Sequence, residues 1–139
     1  VGVIIDTSVL IAAERGHFSM PRFAADPAVD AVAVAAITIS ELLQGSLRTT
    51  DPDARVRRAA FADWVASHVP VLPFGTDEAR RHAEVWAHLH QHGATMGLHD
   101  LLIAGTALAN GHAVATFDRR GFARVPGLRL IDVERFRGS

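Results

Sequence analysis

Short apolar runs alternate with longer stretches of helical spacing along the whole chain. Val3 to Ile5 reads as a buried strand, followed by a helix from Thr7 to Glu14 that Gly16 breaks. Pro21 suits the start of a short helix near Arg22 to Ala25, and Asp26-Pro27 marks a turn. Ala31 to Ile37 is a second strand-length run. Thr38-x-x-Glu41 after it has the form of a capping box, opening a helix that ends near Gly45. Asp51-Pro52-Asp53 starts a helix reaching His68, with Val56, Ala60, Phe61, Trp64 and Val65 as its expected apolar set. Val69 to Leu72 is a third strand. Asp77 to His92 is a helix with Ala79, Ala83, Trp86 and Leu89 facing the core. Leu98 to Asn110 is another helix, and Ala113 to Thr116 and Leu128 to Ile131 are the fourth and fifth strands. Strands alternating with helices predict an α/β domain with a mostly parallel sheet. At 139 residues, with no repeat or linker, one domain over 1–139 is expected.

Composition narrows the chemistry. The chain has no cysteine, which excludes disulfides, thiolate zinc sites and thiol nucleophiles. That fits a reducing compartment, and the cytoplasm is the expected location. No apolar run approaches the roughly 20 residues needed to span a bilayer, so no membrane partner is expected. No basic leader precedes an apolar core, so no signal peptide is expected. Val1 is not an initiator methionine, and residues ahead of it are expected. All 14 basic residues are arginine. Without lysine there is no P-loop lysine or Schiff base. GC-rich coding is the favoured reading of the arginine bias, ahead of a phosphate-binding role.

Four acids carry the candidate chemistry, and each has an ordinary reading alone. Asp6 suits a helix N-cap. Glu41 suits the capping box. Asp100 sits in a helix first turn, where the dipole favours it. Asp118 sits in the turn Thr116-Phe117-Asp118-Arg119-Arg120-Gly121. Together they are less ordinary. Asp6, Glu41 and Asp118 follow strands, and Asp100 opens a helix. The carboxyl ends of parallel strands form one edge, where ligand crevices lie. Like charges gathered there raise one another's pKa unless a cation intervenes. An all-oxygen cluster suits Mg²⁺ or Mn²⁺, and metal-assisted phosphodiester hydrolysis is the implied reaction class.

Three segments carry a resemblance. Ile4-Ile5-Asp6-Thr7-Ser8-Val9-Leu10-Ile11, Ile37-Thr38-Ile39-Ser40-Glu41-Leu42-Leu43-Gln44-Gly45 and His99-Asp100-Leu101-Leu102-Ile103-Ala104-Gly105-Thr106-Ala107 occur in this order. The pattern resembles the PIN-domain ribonucleases, specifically the VapC toxins of toxin–antitoxin pairs, over nearly the whole chain. The third segment more often has Ala at the Gly105 position. The resemblance implies a three-layer α/β/α sandwich and a Mg²⁺- or Mn²⁺-dependent endoribonuclease. It maps Asp6, Glu41 and Asp100 onto the family's three central acids. Many members carry Thr-x-Asn-x-x-Asp-Phe at the fourth site. Here Asp118 replaces the Asn and Gly121 the later Asp, so Asp118 is taken as the fourth catalytic acid. Asp6, Asp100 and Asp118 are expected to hold the metal, with Glu41 as ligand or base. Thr7, Ser8 and Thr116 are expected to support the metal shell, and Arg119 and Arg120 to contact RNA. A small VapB-like antitoxin and a homodimer are the implied partners.

Other readings are carried beside this one. Glu84, His88 and His92 share a helix face at i, i+4, i+8 and could hold zinc, but a polar helix face ending in histidines is simpler. His99 abuts Asp100 at the crevice rim and is assigned no catalytic role. Asp6-Thr7-Ser8 invites comparison with haloacid-dehalogenase-like metal-dependent phosphatases. Those need a second Asp where Ser8 stands, and a lysine. A non-catalytic α/β binding module whose acids are only caps is the non-enzyme alternative.

Overall fold

Gly2–Ile5 forms β1 because three consecutive β-branched side chains, Val3, Ile4 and Ile5, are buried to 0% exposure on both faces. The computed structural model describes residues 2–138. Asp6 ends the strand and caps α1, Thr7–Glu14. Then follow α2 (Met20–Ala24), β2 (Ala31–Ala35), α3 (Ala36–Arg48), α4 (Pro52–His68) and β3 (Val71–Leu72). The chain continues through α5 (Thr76–Gln91), α6 (Leu98–Ala109), β4 (Ala113–Ala115), α7 (Arg119–Phe122) and β5 (Leu130–Ile131), and closes with a 3₁₀ turn at Glu134–Phe136. Among the described residues the five strands form one sheet in the order β3-β2-β1-β4-β5, and every pair is parallel. No helix among these residues is long and apolar enough to cross a membrane.

The sheet separates two apolar clusters, giving an α/β/α sandwich. One holds Val3 and Ile5 with Val9, Phe18, Phe23, Val65 and Phe136. The other holds Ile4 and Val114 with Val85, Leu89, Ile103 and Phe122. The alternation Val3, Ile4, Ile5 thus feeds both layers. Phe18 packs at 5.6 Å from Phe23 and 6.1 Å from Phe117, which anchors the chain just after β4. The Arg137 guanidinium also lies over the Phe117 ring, 4.1 Å from its centroid.

Several expected features differ. The second strand ends at Ala35 rather than Ile37, and its helix begins at Ala36. The capping box is therefore absent. Ala35 is the N-cap, without a side-chain cap bond, and Thr38 and Glu41 lie inside α3. Alanines 35 and 36 tolerate either state, and tertiary packing decides between them. The helix also passes through Gly45 to Arg48, because an isolated glycine only weakens a helix. In α4 the buried residues are Ala54, Ala62 and Val65. Val56 and Trp64 are 69% and 51% exposed, on the i, i+4 row that turns away from the sheet. Trp64 stacks on His68 one turn later. In α5, Val85 and Leu89 are buried, while Trp86 is exposed and stacks on His90. Ala79 and Ala83 are also exposed. Amphipathic spacing left two stripes available on each helix, and the docking partner selected one.

Candidate functional site

β1 sits between β2 and β4, so successive connections leave it in opposite directions. The carboxyl ends of β1 and β4 form the switch point of this order. Ile5 pairs with Ala115, which places Asp6 and Thr116 side by side as the next residues of the two strands. The Asp6 backbone N–H donates to the Ala115 carbonyl at 2.9 Å. α1 and α3 follow strands and α6 runs back to β4, so all three start at this same edge. That brings Glu41, two turns into α3, and Asp100, in the first turn of α6, to Asp6.

Asp6 is 4% exposed, and its carboxylate is held from three directions. Oδ1 accepts the Thr7 backbone N–H at 2.8 Å. Oδ2 accepts the hydroxyls of Ser8 and Thr116, each at 2.8 Å. The hydroxyls are fixed in turn: Ser8 Oγ accepts the Phe117 N–H at 3.4 Å, and Thr116 Oγ1 the Asp118 N–H at 2.8 Å. Burial pushes the Asp6 pKa up, against the pull of its hydrogen bonds, with Glu41 adding repulsion. The N-cap geometry is real, and the capping carboxylate still feels the charge of Glu41.

Glu41 is gripped at both oxygens. Thr7 Oγ1 donates to Oε1 at 2.7 Å and lies 3.3 Å from the buried Thr38 hydroxyl. His99 Nδ1 stands 3.1 Å from Oε2. The sequence carries no local signal for this pair, since the two residues lie 58 positions apart. Asp118 is exposed and caps α7, with Oδ1 accepting the Gly121 N–H at 3.2 Å. A Cβ at position 121 would come within 2.7 Å of Asp118 Oδ2. Glycine at 121 is thus what lets Asp118 fold over the helix start.

Asp100 reports on the set. Its pKa is raised to about 6, first by burial and then by the charges of Asp6, Asp118 and Glu41, with His99 opposing. Asp100 therefore feels the charge of the other three acids, and Asp6 that of Glu41. As the side chains stand, however, no three His, Asp or Glu groups among the described residues are arranged to hold a metal ion. An all-oxygen donor set under mutual repulsion fits a hard divalent cation in its chemistry, while the ligating arrangement is not preformed. Nor do Glu84, His88 and His92 form a zinc site. There the rings of His88 and His92 stack, and His92 Nδ1 contacts the His88 carbonyl at 2.7 Å. Arg119 and Arg120 are exposed on α7 beside Asp118.

Known proteins share both the sequence pattern and the fold. The PIN domain family model matches residues 3–128. Ribonuclease VapC1 of Rickettsia felis is 35% identical over 132 residues, covering 95% of this chain and 96% of the relative. Ribonuclease VapC of Rickettsia bellii is 36% identical over the same length and coverage. The crystal structure of VapBC-5, a toxin–antitoxin system of Mycobacterium tuberculosis, superposes with a TM-score of 0.78 at 32% identity, covering 95% of this chain and 98% of that one.

Proposed function

The chain belongs to the PIN-domain family, and we propose that it is a divalent-metal-dependent endoribonuclease, the toxin of a toxin–antitoxin pair. The observation that carries this reading is the convergence of Asp6, Glu41, Asp100 and Asp118, from four separate stretches of chain, at the switch point of the sheet. The ribonuclease relatives and the toxin–antitoxin structure support it.

Asp6, Asp100 and Asp118 would hold Mg²⁺ or Mn²⁺. When bound, such an ion offsets the carboxylate charges, polarises a phosphate oxygen and acidifies water. Ser8 and Thr116 keep the Asp6 carboxylate in one orientation. Glu41, aimed by Thr7 and His99, either joins the ligands or accepts the proton of the attacking water. Attack at phosphorus forms the new P–O bond, the P–O3′ bond breaks, and the proton passes to the leaving oxygen. The products carry 5′-phosphate and 3′-hydroxyl ends. Arg119 and Arg120 would meet phosphates beside Asp118. A VapB-like antitoxin would silence the site by placing an arginine among the acids, in competition with metal. A homodimer belongs to the same proposal, on family resemblance.

RNA cleavage with Mn²⁺ or with chelator, in wild type and Asp100→Asn, tests the proposal. Wild type is expected to cleave only with metal, and the variant to lose at least about a hundredfold in rate. A variant as active as wild type at matched purity would overturn the metal-site assignment.

A further inference from the structure

Beside the acidic crevice the surface changes sign. Between α1, α3 and α4 runs a groove of about 280 Å³ that reaches Glu41. Arg15 at the end of α1, Arg48 in the last turn of α3 and Arg58 in α4 line it, together with the apolar Leu42 and Phe61. A second recess continues it, sharing Arg15 and Arg58 and adding Arg57. Four arginines thus stand against two carboxylates, Glu14 and Glu41.

These arginines are not neutralised by the fold. Among the described residues none of the four forms an ion pair with an acid, whereas Arg81, Arg135 and Arg137 do. Arg58 Nη1 donates to the Gly45 carbonyl at 3.3 Å, which ties its guanidinium to α3 and leaves other donors available. Clustered guanidinium groups repel one another and attract an extended anion. Guanidinium walls around apolar side chains suit a nucleic-acid strand, with phosphates on the arginines and a base against Ile11 and Phe61. The groove also ends at Glu41, where the scissile phosphate would sit. A protein segment such as an antitoxin's would reach the acids by the same junction, and the test separates that occupant from RNA.

We propose that this groove carries the RNA strand on one side of the scissile bond, with Arg48 and Arg58 holding phosphates near Glu41 and Arg15 and Arg57 holding phosphates farther out. The proposal rests on the ribonuclease reading and extends it to a substrate track.

Fluorescence anisotropy with a short, labelled, mixed-sequence single-stranded RNA provides the test, using the Asp100→Asn background to prevent cleavage. Arg48→Ala and Arg58→Ala are each expected to weaken binding several-fold. Each should also lower the slope of log K against log salt by about 0.7. In the active protein the same changes raise KM and leave kcat nearly as it was. Arg80→Ala, on α5 in the opposite layer, changes neither quantity. Arg48 has no hydrogen bond to lose among the described residues, so its variant separates charge from folding. If wild type cleaves RNA while Arg48→Ala and Arg58→Ala keep its KM and salt slope, the track is wrong and the ribonuclease reading stands. The track is equally wrong if the variants lose only their grip on a co-expressed antitoxin. A wild type that neither binds nor cleaves RNA sinks both.

Discussion

Glu41 shows how one carboxylate is given a direction. A glutamate has three rotatable side-chain bonds, and here contacts to both oxygens restrict them, Thr7 at Oε1 and His99 Nδ1 at Oε2. Held in this way, it keeps its charge within range of Asp6 and Asp100. With its proton on Nδ1, His99 acts as a donor and a positioning residue. Partners of this kind are worth roughly ten- to a hundredfold in metal affinity or activity. His99→Ala should therefore lower kcat by about tenfold. His99→Asn, whose amide can donate from near the Nδ1 position, should recover most of it. Steady-state kinetics on the two variants at matched thermal stability decides. Equal loss in both would show that the Glu41 contact is not what matters.

At the scale of elements, the site depends on how closely α5 and α6 approach. A Cβ at Gly105 of α6 would lie 3.0 Å from the Cα of His82 in α5. That atom is backbone and cannot swing aside. Glycine at this position is what lets the two helices approach so closely. Gly105→Ala gains about 1 kcal/mol of helix propensity, against about 1–3 kcal/mol for overpacking. The expected net result is destabilisation of about 1 kcal/mol, read as a lower Tm. An unchanged or higher Tm would mean that α5 shifts freely. The core-facing stripe of α5 runs through Val85 and Leu89 while Trp86 faces out. The close approach at His82 lies on the same face of α5 as Val85 and Leu89.

For the whole molecule, the acidic crevice opposes folding whenever it is charged. The Asp100 pKa is about 6 in the folded chain and 3.8 as a free side chain. The folded state thus binds this proton more tightly. The associated stability is fully present below 3.8 and is lost as pH rises through about 6. Asp6 shifts in the same direction. In chelator, Tm should therefore fall as pH rises through this window. Asp100→Asn should flatten that part of the profile and be more stable near neutrality. Asp100 is only half-buried, so solvent screening limits the effect to on the order of 1 kcal/mol. Adding Mg²⁺ to wild type near neutrality should raise Tm, and the rise should shrink in the variant. A metal-free wild type with a flat pH profile would contradict the burial and repulsion that raise the Asp100 pKa.

Read alone, the sequence determined the alternation of strands and helices, the parallel sheet and the N-cap at Asp6, and it singled out four acids as a candidate group. Each rests on local signals: β-branched runs, turn residues, and carboxylates beside element ends. Tertiary structure decided what those signals left degenerate. It chose where β2 gives way to α3, because alanine suits both, and so turned a capping-box Glu41 into an inward carboxylate. It selected one of two apolar stripes on α4 and on α5. It paired Thr7 and His99 with Glu41, and it drew Arg15, Arg48 and Arg58 from three helices into one groove. Such contacts join residues tens of positions apart. Helical and strand periods specify which face a residue occupies, but only packing specifies what that face meets.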